Sequence, residues 1–272
     1  MTGIDTSTPV VLLKLYAQGA IGALRSLGRL GVAVYGVDRG AAAPSHSRYL
    51  RGRLDVDIDD AGPEDVEAIV EFGRRIGGHP VLIATDDVGA LFVEDHAHRL
   101  RAVFRIPEQP PGLARRLYSK HEMHDLCVEH GVPTPAITVP QGRDNVQRFA
   151  ANGSFPIVGR YKLLDVNPRL GNSFRLFVAS DGLDVVRAMY LGLTGQRVHQ
   201  TKPREHRKWL VEDFDVATAI ASIRSGRLTP LERARSLRGV EETAWFAKDD
   251  PRPFVVRMLR GVGRALRRRA RR

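Results

Sequence analysis

The sequence predicts an α/β chain in two parts: a parallel-sheet domain with helices on its faces, then a smaller domain of mixed helices and strands. Three observations predict it. Short apolar runs of strand length alternate with helical patterns from Pro9 to Ile106, the order that builds parallel sheets. Within that region one run is followed by glycines, a helix, a second run and an acid, Asp38. A proline-rich break, Pro107 to Pro111, then separates it from a second region with its own helix–turn–strand patterns. The 272 residues suffice for two domains, and a hydrophobic fraction of 43% supports a real core.

Pro9 to Leu15 reads as a buried strand. Gly19 and Gly22 follow, then Ala23, Leu24, Leu27 and Leu30 at helical spacing, with Gly31 as the C-cap. Val32 to Val37 is a second strand ending in Asp38, so the region opens as a Rossmann-like unit. Its Gly-x-x-Gly lacks the full dinucleotide fingerprint. Glycines that let a helix approach a strand are the better reading than a dinucleotide site. A third strand around Leu54 to Val56, a helix from Pro63 and a strand from Pro80 to Ala84 come next. Thr85-Asp86-Asp87 stands at the end of that last strand, before a helix from Val88 to His96. Ligands of open α/β sheets collect beyond the carboxyl ends of strands, which makes Thr85 and Asp86 substrate candidates. Capping of the following helix by either residue is the competing reading. Phe104 to Ile106 is the last short strand of this part.

In the second part Leu113 to Leu117 begins a helical pair. Ser119 and Glu122 have capping-box spacing at the start of a helix that carries Lys120 and ends at His130-Gly131. Val132-Pro133-Thr134-Pro135 leads into a strand from Ala136 to Val139. A helix from Asp144 to Ala150 and a strand from Phe155 to Val158 follow. Tyr161 to Val166 reads as a strand running into Asp165-Val166-Asn167-Pro168-Arg169. On an extended chain Asp165 and Asn167 leave the same face. A carboxylate, an amide oxygen and a guanidinium at alternate positions suit a divalent cation together with a phosphate, because hard cations take oxygen ligands and arginine offers a fork matched to phosphate. The alternative is a buried strand leaving a sheet through an Asx-Pro turn.

These five residues resemble the acidic-x-Asn-x-Arg motif of the ATP-grasp superfamily, and within it the predicted carboxylate–amine ligases, relatives of biotin carboxylase and D-aspartate ligase. Lys162-Leu163-Leu164 before the motif and Gly171-Asn172-Ser173-Phe174-Arg175 after it strengthen the likeness. The resemblance implies a Rossmann-like pre-ATP-grasp domain with a parallel sheet over 1–111. It implies a truncated α+β ATP-grasp domain over 112–250, with a junction near 158–159. Asp165 and Asn167 would be metal ligands, Arg169 a catalytic and phosphate-binding residue, and Lys120 a second nucleotide contact. Thr85, Asp86 and Arg175 would lie toward substrate, since a Thr-Ser-Asp-like turn is usual in these ligases. A solvated lysine at a helix start is the competing reading of Lys120. The implied cofactors are ATP and Mg²⁺. The implied chemistry phosphorylates a small-molecule carboxylate, which an amine then attacks. The resemblance also breaks at one place. In the family, a strand like Phe155–Val158 leads to a nucleotide-binding lysine, a phosphate-covering loop, an adenine hinge and a first acidic metal ligand. Here Val158 runs directly into Gly159-Arg160-Tyr161-Lys162, which resembles the hairpin just before the motif. The expectation is a ligase-like protein impaired or inactive as encoded. A non-enzymatic ligand-binding or scaffold protein is the alternative, and a gene model with an internal deletion is a third reading.

Beyond the motif, Leu183 to Leu193 is helical, with Val185, Val186, Met189, Tyr190 and Leu193 on its core face. Residues 197–209 read as a polar, basic loop, Ile220 to Leu228 as a helix, Thr229-Pro230 as the start of another, and Phe246 to Pro253 as a linker. Net charge is +11, but residues 257–272 carry eight arginines and no acid, so the rest of the chain holds only +3. Over 251–272 this makes a basic amphipathic tail with Val255, Met258, Leu259, Val262 and Leu266 on one face. It reads as a solvated extension or as a helix lying on an anionic membrane surface through 254–272. The absence of aromatic residues among the final arginines argues against nucleic acid. A single cysteine, Cys127, excludes an intramolecular disulfide framework and fits a cytoplasmic setting. Inside a helical pattern it reads as a buried thiol. The polar start of the chain lacks a basic n-region, so no signal peptide is expected, and no run of about 18 apolar residues is present to span a membrane.

Overall fold

Every residue of β1 (Val10–Leu13) is buried, and the first part of the fold is built on it. A computed structural model describes residues 3–152 and 162–270. After β1 come α1 (Gln18–Gly28), β2 (Val34–Val37), β3 (Leu50–Leu54), α2 (Pro63–Ile76), β4 (Val81–Ala84), α3 (Asp87–Asp95) and α4 (Ala97–Leu100). The four strands form a parallel sheet in the order β3-β2-β1-β4, with Val10 registered against Val34 on one side and Val81 on the other. The α/β class and the parallel sheet are as expected. Alternate residues of β1 feed two cores, as the twofold period of a strand requires. Val10 and Leu12 face α1, packing with Ile21, Leu24 and Leu27. Val11 and Leu13 face the opposite layer, with Ile69, Phe92, Leu100 and Phe104. Phe104 to Ile106 adds only a single bridge, Val81 with Arg105, and no strand.

The chain divides into two compact units, Met1–Pro107 with Leu170–Arg272, and Glu108–Arg169. The second unit contains α5 (Leu113–Tyr118), α6 (Lys120–Glu129) and α7 (Arg143–Asn152). Ala114 of α5 and Met123 and Cys127 of α6 are buried, so the thiol is a buried one. The expected strand Ala136–Val139 and the described part, 162–166, of the expected strand Tyr161–Val166 are extended segments without ladders. A strand persists only when a neighbour takes up its backbone groups, and among the described residues none does. Instead Leu163 N–H donates to the Pro133 carbonyl at 2.7 Å, and Thr134 Oγ1 donates to the Leu163 carbonyl at 3.0 Å. The expected strand Phe155–Val158 and the junction at 158–159 lie outside the described residues.

The remaining elements, α8 (Val185–Leu193), β5 (Lys208–Leu210), α9 (Glu212–Arg224), α10 (Pro230–Ser236), β6 (Val240–Thr243) and α11 (Arg252–Ala270), belong to the first unit. The sequence division into 1–111, 112–250 and 251–272 is therefore not the division that packing makes. Residues 170–250 return to α1, where Phe174, Val186, Tyr190, Ala244 and Trp245 join its core. Gly22 permits the approach: a Cβ there would stand 2.9 Å from the Phe174 ring. Gly19 N–H donates to Asn172 Oδ1 at 3.1 Å, so both glycines of the Gly-x-x-Gly receive the chain's own later segment. On α8, Val185 is exposed and only Val186 and Tyr190 of its predicted face are fully buried, because the Asp184 N-cap turns the helix. β5, which begins inside the 197–209 stretch read as a loop, pairs in parallel with β6.

The segment expected to be a linker is anchored by buried hydrogen bonds. Asp250 is buried and accepts from Arg25 Nε at 3.0 Å, Ser47 Oγ at 2.8 Å and the Arg48 amide at 2.9 Å. The buried Arg25 also donates to the carbonyls of Ala244, Trp245 and Asp250. One turn on, Arg29 grips Asp249 with both arms of its fork at 2.8 Å, and Tyr49 O–H donates to the same carboxylate at 2.5 Å. α11 starts from this anchor. Phe254 and Val256 pack on the core, and Arg257 lies 4.7 Å from the Trp245 ring centre and pairs with Asp213. Val255 and Leu259, placed by the sequence on the helix's apolar face, are exposed. Among the described residues no helix is long and apolar enough to cross a membrane.

Two outcomes follow from this anchor. Asp250→Ala strands a buried guanidinium and lowers unfolding free energy by about 3–5 kcal/mol, read from the urea midpoint; Arg25→Met combined with Asp250→Ala costs less than the single change. The Asp249 carboxyl is held well below the usual carboxylate range, chiefly by the Arg29 hydrogen bonds. A depressed folded-state pKa contributes stability above the unfolded value of about 4 and loses it as pH falls. Unfolding midpoints from pH 6 to pH 2 drop less steeply in Asp249→Asn than in the parent chain.

Candidate functional site

In the second unit, Ser119 caps α6 by accepting from the Glu122 amide at 3.3 Å, which sets Lys120 in the first turn. The Lys120 ammonium reaches the Asp165 carboxylate, 45 residues further along the chain. Asn167 Nδ2 approaches the other oxygen of the same carboxylate at 3.4 Å. Lys120, Asp165 and Asn167 are all exposed and Arg169 is half-buried. The predicted phosphate lysine and the predicted metal carboxylate thus meet, on the surface of one unit. The Asx-Pro reading of a buried strand does not hold, since Asp165 is neither buried nor in a ladder.

The donor set does not suit a Mg²⁺ ion by itself. Such an ion wants near-octahedral oxygen ligation, whereas this site offers one carboxylate, already neutralised by Lys120, and one amide oxygen. Among the described residues no group of three or more His, Cys, Asp or Glu is placed to hold a metal.

The other candidates lie in the first unit. Thr85 is buried at the end of β4, and its hydroxyl lies 2.9 Å from the Leu13 carbonyl and 2.5 Å from that of Lys14. Asp86 caps α3 by accepting from the Gly89 amide at 2.8 Å, and its second oxygen is 3.0 Å from the Lys14 ammonium. Of the two readings of this turn, capping is the one the contacts describe. Arg175 is buried in a bidentate pair with Glu242, at 2.8 and 2.7 Å, and in a pair with Asp184 at 2.5 Å. Burial opposes its charge, but the hydrogen bonds to Glu242 outweigh that and raise its pKa. Asp184 in turn accepts from Ser26 of α1 and caps α8. Arg175 therefore joins β6 and α8 in place of facing a substrate.

No protein-family model matches the chain, and no curated protein matches it in sequence. Solved structures do resemble it in part. An ADP complex of N5-carboxyaminoimidazole ribonucleotide synthetase aligns at a TM-score of 0.43 and 12% identity over 57% of this chain and 38% of its own. The L-amino acid ligase of Bacillus licheniformis aligns at 0.41 and 11% over 49% and 32%. Glycinamide-RNase-transformylase T of Mycobacterium tuberculosis aligns at 0.40 and 20% over 54% and 39%. The chain spans less than two-fifths of the length of each.

Sequence reasoning passed over Lys14. It follows β1 with a φ of +65°, and nothing in an apolar run marks a lysine for a left-handed backbone. Its ammonium pairs with Asp59 and Asp86 and lies 5.4 Å from the Tyr16 ring centre. Burial opposes this charge, yet the hydrogen bonds to Asp59 and Asp86 prevail and raise its pKa. Thr85→Val keeps the shape and removes the donor to these strand-end carbonyls. The expected outcome is a loss of about 1–2 kcal/mol in unfolding free energy with nucleotide binding unchanged, checked by urea unfolding and calorimetric titration.

Proposed function

We propose that this chain is a carboxylate–amine ligase-like protein of ATP-grasp type, whose second unit holds the phosphates of a nucleotide and whose ligase turnover is impaired. The convergence of Lys120 on Asp165 carries the reading. Two residue types that serve a metal-bound triphosphate come together from distant positions, beside Asn167 and Arg169. Lys120 and Arg169 supply positive charge to phosphate oxygens, and a phosphate competes with Asp165 for the same ammonium. Asp165 and Asn167 offer oxygens to a cation only when the nucleotide contributes the rest of the coordination, so no step is assigned to a metal here. Small-molecule carboxylates and amines are the substrate classes this reading implies.

A second reading, a non-enzymatic binding protein, is favoured by the same ion pair: a carboxylate neutralised by its own lysine is a poor start for metal-assisted phosphoryl transfer. Titration calorimetry of the full chain with Mg-ATP separates the two. Binding tighter than about 100 μM, near −5.5 kcal/mol, with at least a tenfold loss in Lys120→Ala, supports nucleotide binding. The absence of measurable heat, or an unchanged affinity in Lys120→Ala, overturns it. ATP hydrolysis without transfer to added amines is the expected turnover result.

A further inference from the structure

A cavity of about 360 Å³ opens beyond the carboxyl ends of β1 and β2 in the first unit, and no residue assigned a nucleotide role lines it. Lys14, Tyr16, Asp38, Arg39, Asp57 and Asp59 stand in its wall. Two cations there are already satisfied: Lys14 by Asp59 and Asp86, and Arg39 by Asp57 at 2.7 Å. Asp38 is different. Only 7% of it is exposed, and its Oδ2 has no hydrogen-bond partner among the described residues. An unpaired buried carboxylate oxygen is costly, and native structures seldom leave one without a reason. With Asp38, four further carboxylates (Asp55, Asp57, Asp59 and Asp86) face three cations (Lys14, Arg39 and Arg53). The site lacks positive charge and a donor at the same place.

We propose that this cavity binds a small primary amine in its ammonium form, with Asp38 as the counter-charge. The ammonium supplies the donor that Oδ2 lacks and offsets the local excess of acid. The Tyr16 ring, already facing one ammonium, offers an aromatic wall to the ligand's carbon chain. A neutral alcohol of the same shape supplies a donor but no charge. An anion meets the wrong field. The position, beyond the carboxyl ends of parallel strands, is where open α/β sheets receive small molecules. Burial pushes the Asp38 carboxyl above the ordinary range, and an ammonium bound beside it moves that pKa back down.

The test uses the full chain without nucleotide, so its failure leaves the nucleotide reading untouched. Melting temperature is followed against n-propylamine hydrochloride, with propan-1-ol and sodium chloride as controls at matched concentration and ionic strength. A saturable rise with the amine alone is expected, with at least a tenfold weaker midpoint in Asp38→Asn. Equal effects of amine and alcohol, or an undiminished response in Asp38→Asn, overturn the proposal. If Asp38→Asn does not fold, the carboxyl carbon shift of ¹³C-labelled Asp38 in the parent chain is titrated instead. A lower apparent pKa in the presence of n-propylamine is expected, and an unmoved titration overturns the assignment.

Discussion

The buried pair between Arg25 of α1 and Asp250 is the constraint on which the first unit depends. A guanidinium that is 3% exposed is tolerated only if its donors are taken up. Arg25 meets that demand with one carboxylate and three carbonyls, all drawn from residues 244–250. Asp250 is met in turn by Ser47 and the Arg48 amide. The chain's last segment is thereby tied to its first helix and to the connection before β3. Everything between must accommodate that closure, which is why 170–250 packs with the first unit.

A second polar layer repeats the logic a turn away. Arg175 stands between Asp184 and Glu242, Ser26 donates to Asp184, and Arg187 donates to Ser26 Oγ at 3.0 Å. Burial raises the pKa of Glu242, but the Arg175 hydrogen bonds and charge lower it by more. α1 is therefore an interior helix with two faces of different chemistry. Its leucines pack on the sheet, while Arg25, Ser26 and Arg29 bind the returning chain. The sequence pattern that resembles a substrate-side arginine is in this fold part of a scaffold, and Gly19 and Gly22 serve the same closure.

Lys120 and the polar residues of the Asp165–Arg169 motif are placed differently: Lys120, Asp165 and Asn167 are exposed and Arg169 is half-buried in the Glu108–Arg169 unit. The chemically unbalanced residue of the other unit, Asp38, is buried at a strand end. Lys120 and Asp165 pair with each other in the open, whereas Oδ2 of the buried Asp38 has no hydrogen-bond partner among the described residues.

Apolar periodicity alone foretold β1, α1, β2, α2, β4 and α3, because burial on a sheet or along one helical face writes itself into spacing. The Asp165–Arg169 motif and Lys120 stand out in the sequence by residue type and spacing, while the contact between Lys120 and Asp165, 45 residues apart, appears only in the fold. Tertiary packing alone revealed which charges are structural. Nothing in a linear reading marks Arg25 or Asp184 as buried, Arg175 reads as a substrate-side residue, and Asp249-Asp250-Pro251 looks like a linker. Their role rests on partners as much as 225 residues distant, and the desolvation that makes such a pair matter exists only after the two segments meet. Lys14 and Asp38 were hidden for the same reason, for a cavity belongs to no single stretch of chain.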